Sequence, residues 1–190
     1  MADGIFENVP EGMAQLTTAD GSWAAMSDQW GQQCADFEED FGGYALDALP
    51  VLRDLAAKPT PAAGVFALRR GGQEFEALCQ ANSTFLPGYT GKVLRVRHML
   101  LAPRFDFGEY PIEDYVSVLS AMFARSVYLA KSALPSDHIK FHLRSPADRQ
   151  FFEAGLGIIQ EHSEFDSVKI RGAWLYMTWN RAAQSAPQEV

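Results

Sequence analysis

The stretch PIEDYVSVLSAMFARSVYLAKSALPSDHIKFHLRSPADRQFF, residues 111–152, decides the fold. Its first part, Pro111–Leu134, repeats apolar residues at helical spacing and has proline in its first turn, which predicts a long amphipathic helix. His138–Arg144 then alternates between apolar and polar residues, as a strand does. Ser145–Asp148 has the composition of a helix start, and Gly155 is expected to end that helix. A strand that follows a long helix indicates a parallel crossover.

Segments on both sides of this stretch complete the predicted architecture. Strands are predicted over Val65–Leu68, Glu74–Phe85, Lys92–Leu101 and Val168–Trp179, with a hairpin turn at 70–73. Before them, Ser27–Phe41 and Tyr44–Ala57 have the pattern of two amphipathic helices, separated by Gly42 and Gly43. The predicted fold class is α/β (α+β), with a central, mixed, mostly antiparallel sheet flanked by helices and an acidic helical N-terminal segment.

A proline-rich joint at residues 58–64 separates two differently patterned parts of the chain. It predicts an acidic helical N-terminal segment over residues 1–60, packed on a main domain over residues 61–180. Residues 181–190 are predicted to form a flexible tail. A length of 190 residues fits one domain with a small appendage, and the sequence has no internal repeat.

The composition is that of a folded protein with a real core. Hydrophobic residues make up 47% of the chain and charged residues 21%, which excludes disorder throughout. Cys34 and Cys79 fit neither a disulfide scaffold nor a four-ligand zinc site, so we expect a reducing compartment. The first residues lack the basic and apolar regions of a secretory signal, and the most apolar stretch, Val116–Ala130, is interrupted by Arg125. These features predict a soluble, cytoplasmic protein without a membrane partner.

The net charge of −8 is unevenly distributed. Residues 1–64 hold eleven acidic and two basic residues, whereas residues 65–190 hold thirteen acidic and fourteen basic residues. Nucleic-acid affinity comes mainly from the neutralisation of phosphates, and neither part of the chain has a broad excess of basic residues. The charge pattern therefore predicts that the protein does not bind nucleic acid directly.

The predicted order of elements resembles that of the GNAT superfamily of acyl-CoA N-acyltransferases. This order is two helices, three meander strands, a long helix, a strand, a shorter helix and one or two final strands. The segment SPADRQFFEAGLG, residues 145–157, is also similar to the fourth helix of that superfamily, which reads as an aromatic pair, an acid and Leu-Gly. The resemblance covers residues 65–179 together with the two N-terminal helices. It implies an acyltransferase-like fold, and acetyl-CoA as the cofactor of an active member.

The segment that would hold the coenzyme pyrophosphate departs from the superfamily's pattern. In that family a glycine-rich, basic loop presents backbone N–H groups to the pyrophosphate at a helix N-terminus. The matching segment here, Pro103–Asp114, retains only Gly108 among the glycines and only Arg104 among the basic residues, and Pro111 removes an N–H donor. Its carboxylates, which would repel an anion and satisfy the helix dipole themselves, are Asp106, Glu109, Glu113 and Asp114.

The superfamily's general acid has no counterpart either. That acid is commonly a tyrosine on the fourth helix, and the matching residue here is Phe152, or Phe151, which cannot donate a proton. The two departures predict a degenerate domain with no catalytic residue and no cofactor, which serves as a structural or assembly protein. The alternative is an active acyl-CoA-dependent N-acyltransferase that acts on an amine. Its coenzyme would then lie along Met99, Leu100 and Leu101, with Arg104 and Gly108 near the pyrophosphate.

A second resemblance concerns residues 94–98 (LRVRH) and 140–152 (KFHLRSPADRQFF). Both segments are similar to acyltransferase-like proteins encoded among the structural genes of tailed bacteriophages. This resemblance implies a virion component or an assembly factor, present in the host cytoplasm and in the particle. The partners would then be other protein subunits or further copies of the chain.

Five basic residues form a predicted row across two strands: Arg95, Arg97, Lys140, His142 and Arg144. One interpretation is an anion-binding site, which would make the protein a sensor of a small anion. The other interpretation is structural, because charged groups that are taken out of water need partners. In that case the acidic first helix, with Asp36, Glu38, Glu39 and Asp40, lies over this face and pairs with the row.

The sequence gives little support for a metal site or for a catalytic nucleophile. The four histidines do not have metal-ligand spacing, since His138 and His142 on one strand are too far apart to share an ion, and no metal site is predicted. Cys34 and Cys79 lack the context of a nucleophile, and Ser145 is better explained as a helix cap. Phe6 and Trp23 lie outside the predicted helices, so they are the candidate residues for a protein interface.

Overall fold

Seven strands and five helices form the described part of the chain, which in this computed structural model comprises residues 12–70, 74–161 and 164–180. The strands are β1 (Met13–Leu16), β2 (Ala63–Arg70), β3 (Glu74–Phe85), β4 (Lys92–Leu101), β5 (His138–His142), β6 (Phe165–Arg171) and β7 (Trp174–Trp179). The helices are α1 (Ser22–Asp36), α2 (Leu49–Ala57), α3 (Pro103–Phe107), α4 (Ile112–Leu129) and α5 (Pro146–Glu161).

All seven strands belong to one sheet, in the order β1-β2-β3-β4-β5-β7-β6. Every neighbouring pair is antiparallel except β4 and β5, which run parallel. The predicted fold class is therefore confirmed, and so is the crossover from β4 through a long helix to β5. Since β1 pairs with β2, the predicted N-terminal segment contributes a strand to the sheet of the main domain. The predicted tail lies outside the described residues.

Helices cover one face of the sheet along most of its width. On this face α4 packs against β3, and Phe123 of α4 stacks with Phe141 of β5 and Phe152 of α5. On the opposite face, α1 packs against β1 and β3, and α2 packs against β2. That part of the second face is apolar, and Leu16 and Val65 on it are fully buried. The rest of the second face, on β4 to β7, is polar.

Several local features differ from the expected elements. Helix α1 ends at Asp36 rather than Phe41, α2 begins at Leu49 rather than Tyr44, and α4 ends at Leu129 rather than Leu134. The predicted strand Val168–Trp179 is instead the hairpin of β6 and β7, because the chain turns at Gly172, which has a φ of 56°. Residues 71–73 of the predicted hairpin turn lie outside the described residues.

Helix α1 begins at Ser22 rather than Ser27, because Asp20 accepts hydrogen bonds from the Ser22 backbone N–H (2.8 Å) and hydroxyl (2.5 Å) and so fixes the turn. Helix α5 continues past Gly155 to Glu161, because Leu156 and Ile159 pack against the core and hold the later turns. The short elements β1 and α3 were not predicted.

The parallel contact between β4 and β5 is short and defines the geometry of the site. It joins four residue pairs, from Val93 with His138 to Val96 with Phe141, and we call it the seam. Just beyond it β4 has a bulge, since Leu78 pairs with Leu100 while Gln80 pairs with Arg97. His98 in this bulge has a φ of 49°, which is uncommon for a residue with a side chain. Past the bulge β4 is no longer paired with β5, and a cleft opens.

Candidate functional site

The cleft lies between the end of β4, the first turns of α4 and the start of α5, and its volume is about 500 Å³. The residues lining it are Met99, Leu100, Leu101, Asp106, Ile112, Tyr115, Val116, Leu119, Arg144, Ser145, Asp148 and Phe151. The structure thus brings together three of the residues predicted to contact a coenzyme, Met99, Leu100 and Leu101. Arg104 and Gly108 are not among the lining residues.

The wall formed by Met99–Leu101 is a strand edge. Leu100 and Leu101 pair with β3 on one side and Met99 lies in the bulge, while the ladder with β5 has already ended at Val96. The edge of an extended strand can receive another extended chain through main-chain hydrogen bonds. The cleft therefore has the shape and the backbone edge needed for a narrow, amide-containing ligand.

The end of the cleft near α4 carries negative charge. Pro111 is the N-cap of α4 and has no N–H, and Glu113 and Asp114 occupy the first turn. Asp106 contributes a third carboxylate, at the lining of the cleft. Carboxylates at a helix N-terminus are stabilised by the positive end of the helix dipole, and they leave it unattractive to a second anion.

Arg104 belongs to a separate ion-pair cluster. Its guanidinium contacts Glu74 at 2.7 Å and Glu76 at 2.8 Å, and Glu76, which is only 7% exposed, also contacts Arg70 at 3.3 Å. These groups line a different groove, together with Tyr110. Gly108 has a structural role, because an added Cβ would lie 2.6 Å from the carbonyl oxygen of Arg104. Binding of coenzyme by these two residues stays a prediction.

Hydroxyl groups beside the cleft are engaged in the fold. The Tyr44 hydroxyl lies 2.7 Å from Asp106 Oδ2 and 2.8 Å from the carbonyl oxygen of Leu101, and burial, followed by the Asp106 carboxylate, raises the pKa of Tyr44. The Tyr115 hydroxyl donates to the carbonyl oxygen of Phe105. Ser145 accepts a hydrogen bond from the Asp148 N–H at 3.0 Å, which confirms its predicted role as a helix cap.

Four residues of the predicted basic row, Arg95, Arg97, Lys140 and His142, lie on the polar face of the sheet. Arg95 is in register with Lys140, and Arg97 and His142 follow two residues later on the same strands. Arg144 comes just after β5, where it lines the cleft and contacts Asp47 at 3.6 Å. The structure thus brings the five residues together along two adjacent strands.

The partners expected for this row are not the acidic residues near the first helix. Asp36 accepts a hydrogen bond from Gln32 and Asp40 accepts one from the Gly42 N–H. Within the described residues, Arg144 is the only member of the row with an ion pair, and its partner is Asp47. The expected pairing was wrong because, among the described residues, the one ion pair of the row is made by Asp47, in the connection between α1 and α2, and not by these four carboxylates.

Burial and mutual repulsion lower the pKa values of basic residues in and beside the row. Burial lowers the pKa of Arg95, and the Arg97 guanidinium lowers it further. Burial also lowers the pKa of His142, with Arg97 and Arg144 as additional causes, and the same three causes act in the same direction on His98. The pKa shifts show that a positive charge added to this face is disfavoured.

We expect His142→Gln to make the unfolding free energy less sensitive to acid. Because the folded state lowers the pKa of His142 below its ordinary value of 6.5, the unfolded chain takes up the proton more readily, and stability is lost as the pH falls below 6.5. Urea denaturation at pH 7.5, 6.5 and 5.5 measures this loss. The variant should show a shallower dependence over that range than the wild type, and equal slopes would contradict the assignment.

The remaining candidates for metal or nucleophilic chemistry are placed as follows. No group of three or more His, Cys, Asp or Glu side chains suited to a metal ion occurs among the residues that the structure describes. His138 hydrogen-bonds to Thr178 and to the carbonyl oxygen of Thr90. Burial raises the pKa of the Cys79 thiol to about 12, and burial also raises that of Cys34. Neither thiol is therefore readily ionised at neutral pH.

Trp23 does not form an exposed contact surface. It lies in α1 and is only 8% exposed, as part of the core, because α1 begins one turn earlier than expected. The second predicted interface residue, Phe6, lies outside the described residues. No helix in the described ranges is long and apolar enough to cross a membrane.

Comparisons with known proteins do not identify a family for the chain. No family model matches it, and no curated protein matches it. A probable acetyltransferase from Staphylococcus epidermidis has 12% identity and a TM-score of 0.46, covering 88% of this chain and 94% of that one. A single-residue mutant of the BH1408 protein from Bacillus halodurans has 12% identity and a TM-score of 0.44, covering 84% and 98%.

A third solved structure comes from Klebsiella pneumoniae and is provisionally named an acyl-CoA N-acyltransferase. It has 13% identity and a TM-score of 0.37, covering 87% of this chain and 93% of that one. These values are low, and the fold class is established by the strand order itself. The expected similarity to phage proteins stays a prediction.

Proposed function

We propose that the chain is a non-catalytic structural or assembly protein built on an acyltransferase-like fold. The observation that carries this proposal is the acidic start of α4. Pro111 at the N-cap of this helix has no backbone N–H to donate, and the side chains of Glu113 and Asp114 place two carboxylates in the first turn. Asp106 adds a carboxylate at the lining of the cleft itself.

The charge balance at this end of the cleft opposes a bound diphosphate. A helix N-terminus attracts an anion through its free N–H groups and its dipole, and here the carboxylates of Glu113 and Asp114 in the first turn already interact with the dipole. Arg104, the one basic residue of the segment, is held by Glu74 and Glu76. Arg144, which does line the cleft, lies on the opposite wall and faces Asp47.

The cleft also lacks a free proton donor in the expected place. Phe151 lines the cleft, and Phe152 is buried among other aromatic rings. Tyr115 is the tyrosine of the lining, and its hydroxyl donates to the carbonyl oxygen of Phe105. An acyl transfer from a thioester needs an acid for the leaving thiolate, so this arrangement supports a non-catalytic role. The resemblance to phage structural-region proteins supports a virion or assembly component.

An active acyl-CoA-dependent N-acyltransferase is the second candidate. The open edge of Met99–Leu101 along a cleft of about 500 Å³ specifically favours it, because a pantetheine arm could pair with that edge. In this case the carboxylates near α4 would select a cationic amine as the acceptor.

Calorimetric titration with acetyl-CoA and with free CoA at low salt distinguishes the two candidates. We expect no binding heat up to millimolar coenzyme. The matched variant is Leu119→Trp, in which a larger side chain fills the cleft lined by Leu119. Micromolar binding that this variant abolishes would overturn the proposal in favour of the enzyme. Heat that the variant retains would locate the ligand elsewhere and leave the proposal standing.

A further inference from the structure

The polar face of β4, β5, β7 and β6 is a continuous basic surface, which we call the basic face. Its charged members are Arg95, Arg97, Lys140, His142, Lys169 and Arg171. Two rows of the sheet create it. In one row Arg95, Lys140, Tyr176 and Lys169 are in register, and in the next His142, Trp174 and Arg171 are in register.

The counter-charge of this face lies at one end, where the Asp148 carboxylate acts on His142 and Asp47 pairs with Arg144. The residues in register on it from β4 to β6 include no aspartate or glutamate. No ion pair within the described residues involves Arg95, Arg97, Lys140, Lys169 or Arg171. Instead, the Lys140 ammonium lies over the rings of Trp174 and Tyr176, at 4.6 and 4.7 Å from their centroids. The aromatic rings thus hold the cation in place without neutralising it.

The same chain carries a complementary acidic surface directly after α1. Its members, which we call the acidic turn, are Asp36, Glu38, Glu39 and Asp40, and all four are exposed. None of them forms an ion pair with another described residue. Phe37, between them, is 39% exposed.

Hydrogen bonds fix the backbone of the acidic turn, and within one copy its four carboxylates repel one another and the negative end of the α1 dipole. The Glu38 and Glu39 N–H groups donate to the carbonyl oxygens of Ala35 and Cys34, which closes the helix end. Four carboxylates therefore lie at the negative end of the α1 dipole, and the last turn of α1 contains no basic residue. Cations from another molecule would relieve this repulsion.

We infer that the acidic turn of one copy docks on the basic face of a second copy, and the reverse, in a two-fold dimer. The ion pair between Arg144 and Asp47 shows that the connection from α1 to α2 passes beside the end of the basic row, so both surfaces lie near each other in one copy. A two-fold axis between them then forms both contacts at once. This inference goes beyond the proposed function, because the dimer is compatible with an occupied or an empty cleft.

A second copy fits this face better than a nucleic acid does. Base stacking needs free aromatic faces, whereas Trp174 contacts both Lys140 and His142, the latter at 4.8 Å between ring centroids. Asp47, which is 74% exposed at the side chain, limits the length of anionic chain that this face can hold. A compact acidic surface of limited extent fits the face that remains.

Charge reversal in two variants tests the dimer. The face variant is Lys140→Glu with Lys169→Glu, and the turn variant is Glu38→Lys with Glu39→Lys. Light scattering coupled to gel filtration at low salt should give the wild type twice the chain mass of 21.0 kDa. Each variant alone should be monomeric, with a dimer dissociation constant at least tenfold larger than that of the wild type in salt-matched titrations. An equimolar mixture should restore the dimer, because each reversed surface then meets its complement.

Two control variants each reverse one charge outside the two surfaces. They are Arg53→Glu on α2 and Asp28→Lys on α1, and both should remain dimeric. Circular dichroism shows whether each variant is folded.

A monomeric wild type at 100 µM and low salt would overturn the inference, and so would a mixture that stays monomeric while both variants are folded. Binding of a single-stranded oligonucleotide that the face variant abolishes, together with a monomeric wild type, would assign the face to nucleic acid instead. Coenzyme binding is measured separately, so failure of the proposed function is distinguishable.

Discussion

Replacing Arg104 by methionine should lower the free energy of unfolding by about 3 kcal/mol, the usual cost of removing one partner from a buried ion pair. The substitution leaves Glu76, which is 7% exposed, with Arg70 as its remaining partner at 3.3 Å. Glu74 contributes little to this loss, because its side chain is 56% exposed and remains hydrated. Urea denaturation of the wild type and the variant measures the difference.

A double variant shows whether the buried charge is the cause. Glu76→Met combined with Arg104→Met removes both charges, and apolar replacement of a whole buried pair is commonly neutral or stabilising. The double variant should therefore be more stable than Arg104→Met alone. Arg70→Met, which changes a half-exposed arginine of the same cluster, should cost less than about 1 kcal/mol by comparison with other exposed pairs. If the double variant is the least stable of the three, the cluster acts through packing rather than charge.

Trp30→Ala should cost about 4 kcal/mol, as is typical for the truncation of a buried aromatic side chain. Trp30 is fully buried, its ring packs edge-on against Tyr44, and its indole N–H donates to the carbonyl oxygen of Phe75 at 2.8 Å. The side chain thus links α1 to β3 and to the connection that covers the end of β4. Thermal and urea unfolding of the variant measure the loss.

Trp30→Phe separates packing from hydrogen bonding at the same position. Phenylalanine fills most of the space but leaves the Phe75 carbonyl with only the longer hydrogen bond from Gln29 Nε2, at 3.5 Å, which should cost about 1 kcal/mol. Equal losses for the two variants would mean that the hydrogen bond, rather than the buried ring, stabilises this contact.

Patterns that are local in sequence predicted the middle of the fold well. The bounds of β3 and β4 match their predicted ranges, because each is a long run of strand-forming residues between clear turn signals. The cap at Ser145 also has a local signal and is present in the structure. In contrast, the four residues of β1 are too few for their pattern to be distinguished from a loop. The continuation of α5 past Gly155 depends on tertiary packing, which no local pattern contains.

The candidate site was predicted less completely, because its contacts connect distant parts of the chain. The commitment of Arg104 to Glu74 and Glu76 and the contact of Tyr44 with Asp106 have no short-range signal. The extension of the basic row to Lys169 and Arg171, in contrast, did have a short-range signal in the sequence. Those residues alternate with apolar ones along β6, which is the same period of two that identified the row on β5.

The seam between β4 and β5 also bears on how the chain folds. Strands β2, β3 and β4 follow one another directly, and β6 and β7 form a hairpin, so each group can pair over short loops. The four pairs of the seam join residues separated by all of α3 and α4, which makes their closure entropically more costly. The two groups of strands therefore gain their common core only when this narrow parallel contact forms. That step makes the molecule one cooperative unit, and it depends on few main-chain hydrogen bonds.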